Sequence, residues 1–498
     1  MSVAAPSVGA VRGHPPLTIT SENVMSERQR CNHCATRCTL CREFRVLRKC
    51  IVALCAQQGS GGLNSQSEWN AGACKEFVGP ISPFLLPGDR GDRIRVAPDA
   101  NVTPHHTPVA GLPALLKPFL HATVGLLLTV GAGSAASPSA ELSWIQTSGH
   151  RFVNAAEQPV SLRGCNLGNW LLLEMWMLAV DEQEFPDQHT FEANLVERFG
   201  ADTKHRLMEL YRASWITPRD FDLIRSFGFN VVRVPIDHRL VEDPSHPGTC
   251  RAEGLAWLDH ALEMAETAGV HVILDMHGVP GGQSIDHPTG RIGQNRLWTD
   301  PDCMARTVSL WRAIAARYRH RPAVAGYDVI NEPFGDMKTD VRPQLRVIFE
   351  KIYRAIREVD RRHVIFAPAP LWGGYGFYGN PHTNGWTNVA FTEHHYPGIF
   401  GSSPTLRTHG RFIHRALPAK QAELREVETP MLIGEWNPVF ERLGGGDLVR
   451  RYFDEYAGLG WAATIWSYKL LDREGGAIDD NWHLRIARSM ALLQRSSG

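Results

Sequence analysis

The chain has 498 residues, and 43% of them are hydrophobic, which is enough for a large buried core. Its 52 Lys and Arg residues balance 52 Asp and Glu residues, which excludes a general nucleic-acid binder, since such a protein carries a basic excess. Seven of the ten Cys residues fall within the first 74 positions. The remaining three, Cys165, Cys250 and Cys303, are too scattered to form a disulfide framework.

Residues 1–110 are rich in Arg, Pro, Ser, Gly and Cys and show no sustained helical or strand period. Between Cys31 and Cys41 the sequence reads CNHCATRCTLC, and its four thiols could bind one zinc ion, although the usual zinc modules separate their Cys pairs by a longer loop. We interpret residues 1–110 as a disordered or mis-annotated leader, with a zinc module as the alternative.

Residues 111–140 have the layout of a secretory signal peptide followed by a linker. The apolar run Ala122–Val130 is followed by small residues, and it is too short for a transmembrane helix. Signal peptides stand at an N-terminus, so we expect translation to start near residue 109. The segment 112–136 then predicts a secreted, periplasmic or cell-surface protein without a stable membrane partner. An internal apolar anchor behind a disordered tail is the alternative.

From residue 141 to residue 494, short apolar β-branched runs alternate with longer segments of helical period. The runs are Leu162–Asn166, Asn230–Pro235, Val270–His277, Val324–Asn331, His363–Pro368, Val389–Tyr396, Met431–Trp436 and Ala462–Tyr468. Two of the helical segments are Gly254–Gly269 and Asp302–Arg319. Eight strands alternating with helices predict an α/β fold, the (β/α)8 TIM barrel, over residues 141–494.

Polar or aromatic residues end nearly every predicted strand, and in such a barrel the carboxyl ends of the strands form the active-site face. These residues are Asn166, Arg233, His277, Asn331, Glu332, His394, Tyr396, Glu435 and Trp466. Of the adjacent His394 and His395, strand alternation selects His394 to face inward with Tyr396. Glu332 follows the fourth strand and Glu435 ends the seventh, so both carboxyl groups can reach one cleft.

Two carboxyl groups facing one cleft meet the requirement for cleaving a glycosidic bond. One must be protonated to donate to the leaving oxygen, and the other must be ionised to attack C1 or to activate water. Arg233 is suited to keep Glu435 ionised, and Asn331 is suited to donate to a sugar 2-hydroxyl. Trp466 is suited to stack under a pyranose ring.

The motifs VINEP and IGEW resemble the acid/base and nucleophile motifs of glycoside hydrolase family five, the cellulase-like barrels. VRVP, DMHG, HHY and IWSY resemble the other strand-end signatures of that family in the same order. The resemblance covers residues 141–494 and implies a retaining mechanism, with Glu332 as acid/base and Glu435 as nucleophile. It also implies a cis peptide bond between Trp466 and Ser467. The residues implied around the −1 subsite are Arg233, His277, Asn331, His394, Tyr396 and Trp466.

The stretches LRGCNLGNWLLLEMWM and LDMHGVPGGQ resemble most the exo-β-1,3-glucanase branch, which implies that Glu174 contacts the non-reducing-end glucose. The chain departs from that branch at Gly168-Asn169-Trp170, where Gly-Gly-Trp is usual, and in its own loop Ser284–Trp298. We therefore expect a monomeric glucan 1,3-β-glucosidase or related β-glucanase acting on β-glucan poly- or oligosaccharides. An endo-β-1,4-glucanase (cellulase) is the near alternative.

A rival from another class is a barrel that binds glycans without cutting them, attached to an N-terminal zinc module. Loss of one carboxylate would mark such a barrel, whereas this sequence carries both Glu332 and Glu435. The barrel sequence contains no HExxH motif, phosphate loop or dinucleotide fingerprint. We therefore expect no cofactor and no catalytic metal.

Overall fold

The computed structural model describes residues 142–178, 180–336, 338–371, 373–398, 405–438 and 445–469. The leader, the Cys31–Cys41 cluster and the signal-peptide-like segment of the sequence analysis lie outside the described residues. Among the helices that the structure describes, none has both the length and the apolar character needed to cross a membrane.

Ten strands are described, of which eight form a closed parallel barrel. The strands are β1 (Gln146–Ser148), β2 (Arg151–Val153), β3 (Arg163–Asn166), β4 (Val231–Asp237), β5 (His271–Gly278), β6 (Val324–Asp328), β7 (Val364–Pro368), β8 (Val389–His395), β9 (Met431–Trp436) and β10 (Ala462–Ile465). Strands β3 to β10 pair in chain order, and β10 pairs with β3 to close the ring. The predicted (β/α)8 barrel and its eight strands are confirmed.

The α-helices lie between the strands as the alternation predicts. They are Gln188–Phe199, Ala201–Trp215, Pro218–Ser226, His238–Val241, Ala252–Ala268, Pro301–Tyr318, Arg342–Arg357, Leu406–Arg411, Leu417–Glu426 and Gly445–Leu459. Short 3₁₀ turns occur at Met175–Leu178, His287–Thr289, Arg296–Trp298 and Gly376–Tyr378, and a π-helical turn at Phe412–Ala416. Both helices predicted from the sequence are confirmed, and Gly269 ends the first of them with a φ of 67°.

The antiparallel hairpin β1–β2 precedes the barrel, and the sequence did not predict it because each strand has only three residues. Its residue Phe152 packs in one buried cluster with Val231, Val364 and Ala462. These three are the first residues of β4, β7 and β10, so the hairpin covers the amino-terminal end of the barrel. Apolar side chains therefore close the amino-terminal end of the barrel, and the polar side chains that end the strands lie at the opposite, carboxyl-terminal end.

Candidate active site

Arg233 on β4 is the centre of a buried polar network at the carboxyl ends of the strands. The fully buried guanidinium donates to Asp328 at 2.8 Å, to Asn331 at 2.9 Å and to Glu435 at 3.1 Å. It also lies 3.1 Å from Asp275. Burial lowers the pKa of Arg233, but the three carboxylates together raise it by more, so the net pKa is above the usual value. The network therefore holds a permanent positive charge beside Glu435.

Asp275 and Asp328 are two members of this network that the sequence reasoning missed. They are paired residues of β5 and β6, and both are buried. Asp275 stands two positions before His277 on a strand, so both side chains face inward, and this spacing was a signal available in the sequence. Burial raises the pKa of Asp328 to about 7, although Arg233 acts in the opposite direction.

The carboxyl groups of Glu332 and Glu435 meet in the same cleft. One oxygen of each and a ring nitrogen of His394 all lie within 4.8 Å of one another. Glu435 accepts hydrogen bonds from Arg233 at 3.1 Å and from the Tyr396 hydroxyl at 2.8 Å. Glu332 lies 2.8 Å from Nδ1 of His394. Two donors, one of them charged, thus stabilise the ionised form of Glu435, whereas Glu332 has an imidazole as its neighbour.

The surroundings of Glu332 favour its protonated form. Only 21% of its side chain is exposed, and burial raises its pKa to about 7. Burial also raises the pKa of Glu435, against which the positive charge of Arg233 acts. Burial lowers the pKa of His394 to about 4, so its imidazole is neutral at neutral pH. A neutral neighbour gives Glu332 no counterion, so near pH 7 Glu332 is the carboxyl group that is able to hold a proton.

His277 is held between two partners in the floor of the cleft. Its Nδ1 lies 2.6 Å from Asp275, and its Nε2 lies 3.2 Å from the amide nitrogen of Asn331. Burial lowers the pKa of His277, but the Asp275 carboxylate raises it, and the net pKa is above the usual value. The Trp466 indole stacks on this imidazole, with 5.5 Å between ring centroids and 12° between planes. The Trp466–Ser467 peptide bond is cis, so that prediction is confirmed.

Asn166 supports the cleft from β3. Its amide nitrogen donates to the carbonyl oxygen of Gly434 at 2.9 Å, and its Oδ1 accepts from Arg233 at 3.1 Å. His394 faces Glu332, whereas His395 faces outward and lies 3.1 Å from the hydroxyl of Tyr456. The two adjacent His residues therefore point in opposite directions, as strand alternation predicts.

Glu174 lies buried in the loop after β3, apart from this network. One of its oxygens accepts from the Trp176 indole at 2.8 Å and lies 3.1 Å from Nε2 of His287. Burial raises the pKa of Glu174, but the hydrogen bond from His287 lowers it, and the net pKa is below the usual value. The sequence reasoning missed His287, which stands in the loop that departs from the exo-β-1,3-glucanase branch.

Asn169 occupies the second position of the Gly-Gly-Trp pattern of that branch and adopts a left-handed φ of 62°. Glycine reaches this region without strain, and asparagine is among the residues that tolerate it best. The Oδ1 of Asn169 accepts a hydrogen bond from the backbone nitrogen of Glu174 at 2.8 Å. Asn169 thus adopts a conformation that is easily accessible to glycine and adds a contact that fixes the start of the Glu174 segment.

Gly168 lies directly against Trp466. A Cβ at this position would stand 3.3 Å from the indole ring and 2.6 Å from the hydroxyl of Ser467. We expect Gly168→Ala to displace the indole and to lower kcat/KM by roughly 10- to 100-fold, because small displacements in a site are costly. Gly410→Ala is the matched control, since its added Cβ meets no atom within 4 Å. Wild-type kinetics in a folded Gly168→Ala variant would contradict this prediction.

The donor atoms of Glu332, His394 and Glu435 are close enough to hold a metal ion. However, the guanidinium of Arg233 already contacts Glu435 at 3.1 Å, and it places a fixed positive charge beside this group. A divalent cation would have to bind against that charge. The charge of Arg233 therefore disfavours a divalent cation at this position.

The fold and the paired carboxyl groups define the class of (β/α)8-barrel glycoside hydrolases. The sequence profile of the cellulase family, glycosyl hydrolase family 5, matches residues 192–469, which is more than half of the chain. The chain belongs to glycosyl hydrolase family 5.

Two relatives and one solved structure illustrate the similarity. A β-xylosidase of Phanerodontia chrysosporium is 26% identical over 309 residues, which cover 60% of this chain and 63% of the relative, less than two thirds of its length. A probable glucan 1,3-β-glucosidase A of Neosartorya fischeri is 29% identical over 347 residues, 68% of this chain and 78% of the relative. The crystal structure of rutinosidase from Aspergillus niger has a TM-score of 0.56 at 18% identity, covers 67% of this chain and 97% of that chain, and supports the fold alone.

Proposed function

We propose that the protein is a retaining β-glucanase that hydrolyses β-glucans by double displacement. The separation of the two carboxyl groups is the observation that carries this proposal. An oxygen of Glu332 and an oxygen of Glu435 lie within 4.8 Å of each other. This is close to the separation of about 5–5.5 Å typical of retaining enzymes and well below the roughly 6.5–9.5 Å that inverting enzymes need to admit a water molecule.

In the first step the ionised Glu435 attacks C1 of the sugar, and Glu332 gives its proton to the departing glycosidic oxygen. The Tyr396 hydroxyl and Arg233 hold Glu435 in place until its oxygen forms the bond to C1. In the second step Glu332, now ionised, removes a proton from water, and the oxygen of that water displaces Glu435 from C1. Each step inverts C1, so the product keeps the β configuration.

The remaining residues of the site are proposed to hold the sugar ring. Asn331 directs its amide at the 2-hydroxyl, where hydrogen bonds strengthen as the transition state forms. Trp466, His277 and His394 line the −1 subsite with Arg233 beneath them. Glu174 accepts from the hydroxyl groups of the non-reducing-end glucose, because its hydrogen bond to His287 keeps it ionised.

The stereochemical course is the direct test of the mechanism. In proton NMR of a hydrolysis followed from its first minutes, the β anomer of the product should appear before mutarotation produces the α anomer. An initial α product would show inversion and would refute the double displacement, whatever the substrate.

The name of the Neosartorya fischeri relative, a probable glucan 1,3-β-glucosidase, supports β-1,3-glucan as the substrate and exo cleavage as the mode of action. Laminarin should then release glucose as the first product. The loop Ser284–Trp298 differs from the exo branch, so an endo-β-1,4-glucanase is the second candidate. Product analysis on laminarin, carboxymethyl-cellulose, mannan and an aryl β-xyloside shows which of these substrates the enzyme cleaves. A rapid loss of viscosity in carboxymethyl-cellulose would favour the second candidate.

The rate is expected to fall on the alkaline side of about pH 7, because Glu332 must be protonated to act as the general acid. Above its pKa, kcat/KM should drop about tenfold per pH unit on a substrate with a poor leaving group. A dinitrophenyl glycoside is the control, because its departure needs little protonation and its alkaline loss should be smaller. A constant kcat/KM up to about pH 9 on both substrates would contradict the role of Glu332.

We also propose that residues 141–494 are the catalytic domain, that residues 1–110 form a leader and that residues 111–140 provide a secretion signal and linker. A monomer outside the cytoplasm fits a hydrolase whose polymeric substrate cannot enter cells. The composition of the segment 112–136 supports this proposal. N-terminal sequencing of secreted material tests it, and a mature chain beginning before residue 110 would refute it.

A further inference from the structure

Asp275 is a buried carboxylate that joins two parts of the site without belonging to the catalytic pair. Its Oδ2 lies 2.6 Å from Nδ1 of His277, and its Oδ1 lies 3.1 Å from Nη2 of Arg233. The side chains of Asp275 and Arg233 are fully buried, and that of His277 is 1% exposed. Packing at this depth fixes the relative positions of the three groups.

The amide of Asn331 has only one orientation that satisfies its neighbours. A guanidinium can only donate, so the atom 2.9 Å from Nη2 of Arg233 must be the amide oxygen of Asn331. The amide nitrogen therefore faces Nε2 of His277 at 3.2 Å. An amide nitrogen also only donates, so in the neutral imidazole Nε2 must accept and carries no proton. The proton of His277 is on Nδ1, where Asp275 accepts it.

We propose that Asp275 is a positioning residue that gives the site its recognition of the substrate's 2-hydroxyl group. By holding the proton of His277 on Nδ1, Asp275 makes Nε2 an acceptor for one N–H of Asn331, which directs the second N–H at the sugar. Asp275 acts through His277 and Asn331 and does not contact the sugar. This inference rests on the proposed function and adds to it the cause of the 2-hydroxyl contact.

The variant Asp275→Asn should reverse this arrangement for a chemical reason. The new amide must turn its oxygen to Arg233, which only donates, and its nitrogen then faces Nδ1 of His277. Nδ1 becomes the acceptor, so the ring proton moves to Nε2 and opposes the N–H of Asn331. The amide of Asn331 cannot turn over, because its nitrogen would then face Arg233. Asparagine matches aspartate in size, so the cluster keeps its packing.

The test compares an aryl β-glucoside with its 2-deoxy analogue. In the wild type the 2-deoxy substrate should be the poorer one, because it lacks the hydroxyl that Asn331 binds. Asp275→Asn should lower kcat/KM on the glucoside by roughly 10- to 100-fold more than on the 2-deoxy substrate. The ratio of kcat/KM on the glucoside to kcat/KM on the 2-deoxy substrate should be the same in the double variant with Asn331→Ala as in Asp275→Asn alone.

Asp328→Asn is the matched control. Asp328 is also buried and accepts from Arg233 at 2.8 Å, but its hydrogen-bonded partner is the Nε atom and not an atom of His277. This variant should lower kcat/KM on both substrates by the same factor. The proposal would be overturned if Asp275→Asn also lowered kcat/KM by the same factor on both substrates, since that would show a general structural role.

A second measurement is independent of activity. Nitrogen-15 NMR of labelled histidine at pH 8, with His277 assigned by its loss in His277→Gln, should show the proton on Nδ1 in the wild type and on Nε2 in Asp275→Asn. A proton on Nε2 in the wild type would overturn the proposal. If the wild type cleaved neither glucoside, the proposed function would fail, and the position of the proton would still decide whether Asp275 sets the tautomer.

Discussion

Glu435→Ala is expected to lower kcat by roughly 10⁵- to 10⁶-fold on every β-glucoside, because no glycosyl-enzyme can form without the nucleophile. The loss should not depend on the leaving group, since an activated aryl substrate still lacks a group to attack C1. Arg233 would remain charged and would lose the carboxylate it contacts at 3.1 Å. Steady-state kinetics on substrates with good and poor leaving groups measures this effect.

A matched control for Glu435→Ala is Glu393→Ala on the neighbouring strand β8. Glu393 is likewise a largely buried carboxylate, but it faces outward and contacts His395 at 2.5 Å and Lys420 at 2.7 Å. Its loss should reduce stability while kcat of the folded enzyme stays within a few-fold of the wild type. A Glu435→Ala variant with similarly small loss would show that the nucleophile lies elsewhere.

Glu332→Ala is expected to produce a loss that depends on the leaving group. Substrates with poor leaving groups should lose roughly 10²- to 10⁴-fold in kcat, because they require a proton from the general acid. Dinitrophenyl glycosides should form the glycosyl-enzyme at close to the wild-type rate and then accumulate it, because no base activates water. A burst of dinitrophenol followed by slow turnover would report this accumulation.

Azide distinguishes the two glutamates by the product that it forms. In Glu332→Ala, azide needs no general base, so it should speed the second step and yield the β-glycosyl azide. In Glu435→Ala, azide can enter only in place of the nucleophile, and its attack would give the α-glycosyl azide. If azide instead gave the β-glycosyl azide with Glu435→Ala and the α-glycosyl azide with Glu332→Ala, the two roles would be reversed.

The eight strands could be predicted from the sequence because a strand buried on both faces is a continuous apolar run, and such runs are visible one at a time. The polar residues that end the strands were visible because each stands at the end of an apolar run. The predicted run Val324–Asn331 was too long, however, since β6 ends at Asp328. Glu332 lies beyond the strand with a φ of 39°, a left-handed conformation that no apolar pattern reveals.

The partners of these residues were harder to predict, because they depend on contacts between distant parts of the chain. The spacing of Asp275 to His277 marks it as inward-facing, but its contact with Arg233 joins residues 42 positions apart. His287 begins a short 3₁₀ turn in the loop after β5, and its contact with Glu174 joins residues 113 positions apart. Patterns of local spacing carry no information about such pairs.

The pairing of β10 with β3 has a consequence for how this enzyme is made. The ring closes only when the last strand of the barrel joins the first, and Trp466 follows directly after that last strand. A ribosome-bound chain therefore reaches its final strand before it has either a closed barrel or the indole that covers His277. Partly synthesised chains that lack β10 therefore hold both carboxylates in sequence but have no closed barrel to bring them together.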